Sequence, residues 1–282
     1  MPVKKRSSRN VQPPRIIADT KAHARKTALV TGASNGIGYD LASILAENGY
    51  NVVLVARSRE KLLALANQAQ QMFGVSATVI QKDLTDPNAP SEIARELQRK
   101  GIHIDVLVNN AGYGILAPFA YANPDEQLNM IRLNVGAVAA MTRLFLPEML
   151  KRRSGRILNV ASTAAFQPGP MMSNYYATKS YVLNFSIGLA EEVRGQGVTV
   201  SVLCPGSTFT GFQERAGIKR DPLPGFTRTD SRIVARAGYE GLMAGKTVIV
   251  PGVLNKTAVF LSSLVKRTFV AKFLKKFHET RR

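Results

Sequence analysis

The chain has little of what builds disulfides and metal sites. Of 282 residues one is cysteine, three are histidine and none is tryptophan. A lone thiol, Cys204, closes no internal disulfide, which fits a reducing compartment. It lies in the apolar run VTVSVLC, where cysteine is more often core than nucleophile. No metal site is expected. Acidic side chains are also scarce: 19 against 38 basic ones, a formal net charge of +19. No uncharged run of about 18 apolar residues occurs, which argues against a spanning helix. The first residues lack the apolar stretch of a secretory signal. The 45% hydrophobic content excludes global disorder.

The basic excess sits at the ends. Residues 1–26 carry Lys4, Lys5, Arg6, Arg9, Arg15, Lys21, Arg25 and Lys26 against Asp19. Residues 266–282 carry Lys266, Arg267, Lys272, Lys275, Lys276, Arg281 and Arg282 against Glu279. Ser7, Ser8, Pro13 and Pro14, without a sustained period, make residues 1–25 a flexible basic arm. Residues 253–282 read as a basic extension of one or two amphipathic helices, with Val259, Phe260, Leu264, Phe269, Phe273 and Phe277 on the apolar face. Three uses of the tails stay open: solvated ends, contact with an anionic membrane surface, or nonspecific nucleic-acid binding; the apolar helix faces could alternatively pack on the domain or on a second subunit. Nucleic acid is disfavoured, because no reader motif and no aromatic interleaving is present. A cytoplasmic location is expected, with the membrane periphery left open.

Between the tails, residues 26–252 read as one catalytic domain. Seven short apolar runs, at 26–31, 51–56, 76–81, 104–109, 156–161, 198–204 and 246–251, are rich in Val, Ile, Leu and Thr. Nearly all-apolar runs suit strands covered on both faces. Helical stripes alternate with them, such as Ile37, Leu41, Ile44 and Leu45. The alternation predicts a single doubly wound α/β sheet of about seven parallel strands.

The first strand runs into TGASNGIG, placing Gly32, Gly36 and Gly38 at a strand-to-helix turn, with Ser34, Asn35 and Ile37 between them. Missing side chains let the backbone approach a pyrophosphate, and the helix start offers free N–H groups and a positive dipole. Further along stand NNAG at 109–112, Asn134 in RLNVGAV, Ser162 in NVAS, Tyr175 and Lys179 as Y-x-x-x-K, and PGSTFT at 205–210. In this order and spacing, over residues 26–250, they resemble the short-chain dehydrogenase/reductase family. The closing part, with VPGVLNK and the basic helices, is similar to a bacterial branch of that family with undefined substrate.

The resemblance implies a Rossmann fold and an oxidoreductase that moves a hydride between nicotinamide and a carbonyl or alcohol. It implies Tyr175 as acid/base, Ser162 as hydrogen-bond partner of the substrate oxygen, Lys179 as holder of the ribose hydroxyls, and Asn134 as anchor of a proton-relaying water. The residues agree with this. Tyr175 and Lys179, four apart, share one face of a helix, whereas Tyr176 is expected to point elsewhere. A nearby ammonium and an oxidised ring both favour phenolate, so a lowered Tyr175 pKa is expected. The second strand ends at Arg57 rather than at an acidic residue, which favours a 2′-phosphate and so NADP(H) over NAD(H). Asn35 departs from one NADP-associated pattern, being often basic in relatives. The resemblance further carries Asp83 and Leu84 to the adenine, Asn110 and Gly112 to the ribose, and Thr210 to the pyrophosphate or carboxamide. Asn109 is expected to tie strands together.

Residues 211–232, with Phe212, Ile218, Pro222, Leu223, Pro224, Gly225 and Phe226, correspond to the family's mobile lid. With Tyr113, Ile115, Phe166, Met171 and Met172 they predict an apolar pocket for a small-molecule carbonyl or alcohol. The family implies a homodimer or homotetramer. The rival reading is a noncatalytic dinucleotide-binding sensor or membrane-surface scaffold; the intact Tyr175–Lys179 pair separates the two.

Overall fold

A computed structural model describes residues 25–218 and 228–281. Its centre is the sheet that the apolar runs predict. The strands β1 (Thr27–Thr31), β2 (Asn51–Ala56), β3 (Ala77–Gln81), β4 (Val106–Asn109), β5 (Gly155–Val160) and β6 (Val198–Leu203) are all parallel. Two short strands, β7 (Thr208–Phe209) and β8 (Thr229–Asp230), pair with each other outside the sheet. A last strand, β9 (Val248–Ile249), closes the main sheet in the order β3-β2-β1-β4-β5-β6-β9. The fourth run is shorter than expected, beginning at Val106, and the seventh pairs over only two residues. The β7–β8 pair had no signal, because two residues are too few for a hydrophobic period.

Alternation along each strand supplies two cores. Leu29, Val53, Val55, Leu107, Ile157 and Val200 point to one side. There they meet α3 (Ala89–Arg99), α4 (Pro124–Ile131), α5 (Val138–Lys151) and α6 (Ser173–Glu192). Ala28, Val30, Leu54, Val106, Leu158 and Leu203 point to the other. They meet α1 (Gly36–Glu47), α2 (Arg59–Phe73) and α8 (Ser231–Met243). Strands buried on both faces are apolar at nearly every position, which is why the runs show no polar alternation. Local signals set the helix ends: α2 stops at Gly74, left-handed at φ 63°, whose N–H reaches the Gln70 carbonyl at 3.0 Å.

The path from α4 to α5 is one continuous helical rod with a π-helical middle, Arg132–Ala137. Asn134 lies in that segment, and such bulges concentrate at functional sites. The short helix α7 (Phe212–Arg215) follows β7. The closing segment forms α9 (Val253–Leu264) and α10 (Arg267–Glu279), and it packs back on the domain. The Asn255 side chain crowds Gly206, and the ring of His278 is fully buried. The arm expected over 1–25 lies outside the described residues except for Arg25, whose guanidinium bonds the Gly74 carbonyl.

Candidate active site

In this strand order the direction of winding reverses between β1 and β4. A crevice opens there beyond the carboxyl ends of the strands. A cavity of about 570 Å³ occupies it. The glycine turn forms one wall. Gly32 and Gly36 are left-handed, at φ +67° and +55°. A Cβ on Gly32 would stand 2.9 Å from the Ala111 Cα, and one on Gly36 would stand 2.8 Å from Thr210 Cγ2. Ser34, Asn35 and Ile37 line the cavity beside them. Asn35 caps α1 with extended backbone and without a side-chain hydrogen bond, and no acidic residue sits in the first turn. The first N–H groups of α1 therefore have no side-chain acceptor and remain available to an anion.

NNAG divides its work. The Asn110 Nδ2 donates to the carbonyls of Thr31 (3.0 Å) and Gly32 (3.3 Å), fixing the turn from behind. Asn109 is buried deeper and donates to Asn159 Oδ1 (2.9 Å) and Thr142 Oγ1 (3.1 Å), joining β4, β5 and α5. Gly112 leaves room for two functional groups: a Cβ there would lie 3.0 Å from Asn134 Oδ1 and 3.3 Å from Lys179 Nζ.

The β5 end and α6 bring Ser162, Tyr175 and Lys179 to the same cavity. Ser162 Oγ accepts from the Ala164 N–H at 3.1 Å and donates to the Pro205 carbonyl at 3.4 Å. Burial pushes the Tyr175 phenol up to about 12, and its hydrogen bond to Ser162 pulls it back. Burial outweighs that bond, so the expected lowering is not seen in the chain alone; Lys179 is itself buried and desolvated, its pKa down to about 8. The Lys179 Nζ donates to the Val160 carbonyl at 2.8 Å and lies 5.9 Å from the Tyr175 ring centre. Asn134 clamps the loop behind them: Oδ1 accepts from the Tyr113 N–H (3.1 Å), while Nδ2 donates to the Tyr113 carbonyl (2.9 Å) and Thr178 Oγ1 (3.0 Å). Its side-chain amide thus holds the peptide that leads out of NNAG.

At the other end of the cavity stand Arg57, Asp83 and Leu84, with Arg57 Nη1 3.7 Å from Asp83 Oδ2. Asp83 Oδ1 accepts from Thr85 N (3.0 Å) and Oγ1 (2.9 Å), which holds the carboxylate in place. Thr210 lines the middle and accepts from the Phe212 N–H at 3.2 Å. Fully buried Cys204 stays a thiol, with its pKa pushed up to about 12.

Two expectations are corrected by side-chain placement. Tyr176 does not point away: it lines the cavity, 6.0 Å from the Tyr175 ring centre and at 79° to it. Ile115, Phe166 and Met171 pack in the cores instead of lining the cavity, whereas Tyr113, Met172, Phe212 and Ile218 do line it. Pro222, Leu223, Pro224, Gly225 and Phe226 lie outside the described residues. Two contributions had no sequence signal. Arg215 stacks over the Tyr113 ring at 4.3 Å. The inner edge of α10, through Leu274 and Phe277, forms a wall of the cavity, joined by Arg281 just beyond its end. His278 Nδ1 stands 2.6 Å from the Pro170 carbonyl, an obligate acceptor, so this nitrogen carries the proton. Nε2 then accepts from the Tyr176 hydroxyl at 3.2 Å.

With this geometry in place, residues 26–221 match the family described as short chain dehydrogenase. The 17-beta-hydroxysteroid dehydrogenase type 3 of Mus musculus is 32% identical over 250 residues, 87% of this chain and 81% of that protein. The very-long-chain 3-oxoacyl-CoA reductase-B of Danio rerio is 38% identical over 184 residues, 64% of this chain but only 58% of its own length. The solved structure of a short-chain dehydrogenase from Sphingobium yanoikuyae in complex with NADPH is similar at a TM-score of 0.76 and 31% identity, covering 86% of this chain and 96% of that one.

Proposed function

Since the chain belongs to the short-chain dehydrogenase family, oxidoreductases acting between alcohol and carbonyl groups, we propose that it moves a hydride between NADP(H) and a large apolar carbonyl or alcohol, with Tyr175 as the acid/base. The observation that carries this reading is the convergence of Ser162, buried Tyr175 and buried Lys179 on one cavity with an anion-ready glycine turn.

The fit to a dinucleotide rests on the uncapped start of α1, the glycine cradle and the Arg57–Asp83 pair at the far end. Asn110 shapes the turn; Asp83 and Leu84 would face the adenine, Arg57 a 2′-phosphate, Lys179 the nicotinamide ribose and Thr210 the middle of the cofactor. When bound, the cofactor supplies or accepts the hydride at the carbonyl carbon. As hydride reaches that carbon, the C=O π electrons move to oxygen, and Tyr175 delivers its proton there. A phenol held near 12 is protonated at neutral pH, so it is ready to donate in reduction. The Ser162 hydroxyl, bonded to Pro205 over a long 3.4 Å, is easily exchanged onto the substrate oxygen to steady its charge. Lys179 has one N–H on Val160 and two more for ribose hydroxyls.

The substrate end is lined by Met172, Phe212, Ile218, Leu274 and Phe277, which supports an apolar skeleton. The hydroxysteroid and very-long-chain 3-oxoacyl names of the relatives point the same way. A homo-oligomer is supported by half-exposed apolar side chains on α4, α5 and α6: Leu128, Ile131, Leu144, Tyr181 and Ile187.

The test is NADPH consumption followed by absorbance over steroid ketones, 3-oxoacyl thioesters and small ketones, with Tyr175→Phe alongside. Turnover of apolar members that vanishes in Tyr175→Phe is the expected result. Tight NADPH binding without turnover of any member would favour the noncatalytic reading, and turnover that survives Tyr175→Phe would move the acid elsewhere.

A further inference from the structure

The helices α9 and α10 leave their apolar side chains in solvent. Leu254, Phe260, Leu261, Leu264, Phe269 and Phe273 are each 54–68% exposed. On α9 they fall on one face at helical spacing, while Asn255 and Ser262 turn toward the domain. On α10 the phenylalanines at 269, 273 and 277 are four apart and form one stripe. The stripe begins in solvent and ends at Phe277, in the wall of the cavity. Buried Leu274 and His278 hold the opposite side of α10 to the domain, His278 through Tyr176 and Pro170.

Charge distinguishes what covers this surface. Lys256, Lys266, Arg267, Lys272, Lys275 and Lys276 are all exposed around the apolar side chains. Glu279 is the single acid of the segment, and Lys275 stands 4.0 Å from it. A second copy laid on this face would set one cationic cluster against another. A polyanion without apolar surface would leave the phenylalanines and leucines in water. An anionic lipid surface satisfies both, with acyl chains for the apolar stripe and headgroups for the lysines. Among the described residues no helix is long and apolar enough to cross a membrane. At about 1.5 Å per residue, helices of 12 and 13 residues measure about 18–20 Å and suit the interfacial plane.

We infer that α9 and α10 form a docking surface for an anionic lipid bilayer, and that docking places the α10 wall of the cavity against the membrane, where apolar substrates dissolve. The second clause rests on the apolar-carbonyl reading; the first does not.

The test is sedimentation of the full chain with phosphatidylcholine vesicles, with and without phosphatidylglycerol. Two double variants change only exposed side chains: Phe269→Ser with Phe273→Ser, and Lys272→Glu with Lys276→Glu. The expected result is sedimentation with anionic vesicles that weakens with added salt and drops about tenfold or more in each variant. Circular dichroism and thermal unfolding stay as in the parent, so the readout stands whether or not turnover is found. Failure to sediment with anionic vesicles overturns the inference. So does undiminished sedimentation of both variants. A change of size on gel filtration in the variants, with vesicle binding intact, assigns the surface to contact between copies instead.

Discussion

The hydroxyl of Tyr176 lies 3.2 Å from Nε2 of His278, which belongs to the last helix of the chain. This contact ties α10 to the first turn of α6, one residue from Tyr175. Removing the imidazole leaves the Pro170 carbonyl and the Tyr176 hydroxyl without this partner, a cost of about 1–3 kcal/mol. His278→Ala is therefore expected to lower the unfolding midpoint. It should also raise KM for bulky apolar substrates severalfold while kcat on a small ketone changes little, because only the α10 wall loosens. Equal loss on both substrates would mean that the contact supports the catalytic turn itself.

The same ring sets a pH dependence. Burial, reinforced by the Arg281 charge, holds the His278 pKa below the ordinary value of 6.5, against the pull of the Pro170 carbonyl. A depressed pKa means that the folded state prefers the neutral ring. Stability is thus present above the unfolded value and is lost as pH falls below about 6.5. Thermal unfolding between pH 8 and pH 5 should show this loss in the parent and a flatter curve in His278→Gln. Identical slopes in the two proteins would place the acid sensitivity elsewhere.

Much of this site was legible because its signals are local. A strand end, a glycine turn and an i,i+4 spacing each act within a few residues, so Gly32, Ser162, Tyr175 and Lys179 each stand out locally, while their belonging to one site follows from the family resemblance of their order. What escaped is tertiary. A lone histidine in a lysine-rich helix carries no sign of its partner, and the pairing of His278 with Tyr176 spans 102 positions. Tyr176 was expected to turn away because adjacent helical residues diverge. The first turn of α6 projects into the cavity, though, so both rings face it. The π-helical segment around Asn134 has no sequence break either. The amide there bonds both backbone groups of Tyr113, a tertiary contact that accompanies the extra winding.

Lys179 illustrates function opposing stability. Burial lowers its pKa from 10.5 to about 8. At about 1.4 kcal/mol per unit, the charged form costs the folded state about 3 kcal/mol at neutral pH. Loss of the Val160 hydrogen bond offsets about 1 kcal/mol of any gain on removal. Lys179→Met is expected to abolish turnover yet raise the unfolding midpoint by a few degrees at pH 7. The sign follows from the depressed pKa: the cost is full below about pH 8 and fades toward pH 10.5, so the gain should shrink with rising pH. A lower midpoint at pH 7 would contradict the burial argument.

Arg57 provides the check on cofactor choice. Its guanidinium stands at the end of β2, 3.7 Å from Asp83 and open to the cavity. A charge-assisted hydrogen bond to a phosphate contributes about 1.5–3 kcal/mol, or about ten- to a hundredfold in affinity. Arg57→Ala should lower kcat/KM for NADPH by that factor and leave the value for NADH nearly unchanged. If both fall together, the arginine serves the fold or the adenine rather than the 2′-phosphate.

Two glycines that look alike in sequence should respond in opposite directions. A Cβ on Gly38 would run into the Gly32 carbonyl and the Asn110 amide, the two groups that fix the turn. Neither can withdraw without opening the cradle, so Gly38→Ala is expected to cost about 1–3 kcal/mol and to weaken NADPH binding. Gly188, inside α6, has nothing within 4 Å of a Cβ and no positive φ. Gly188→Ala removes only backbone freedom and should stabilise the helix by about 0.5–1 kcal/mol with NADPH binding unchanged. Paired urea unfolding and fluorescence titration read both quantities. Equal effects of the two substitutions would mean that crowding at the turn is not what requires glycine at position 38.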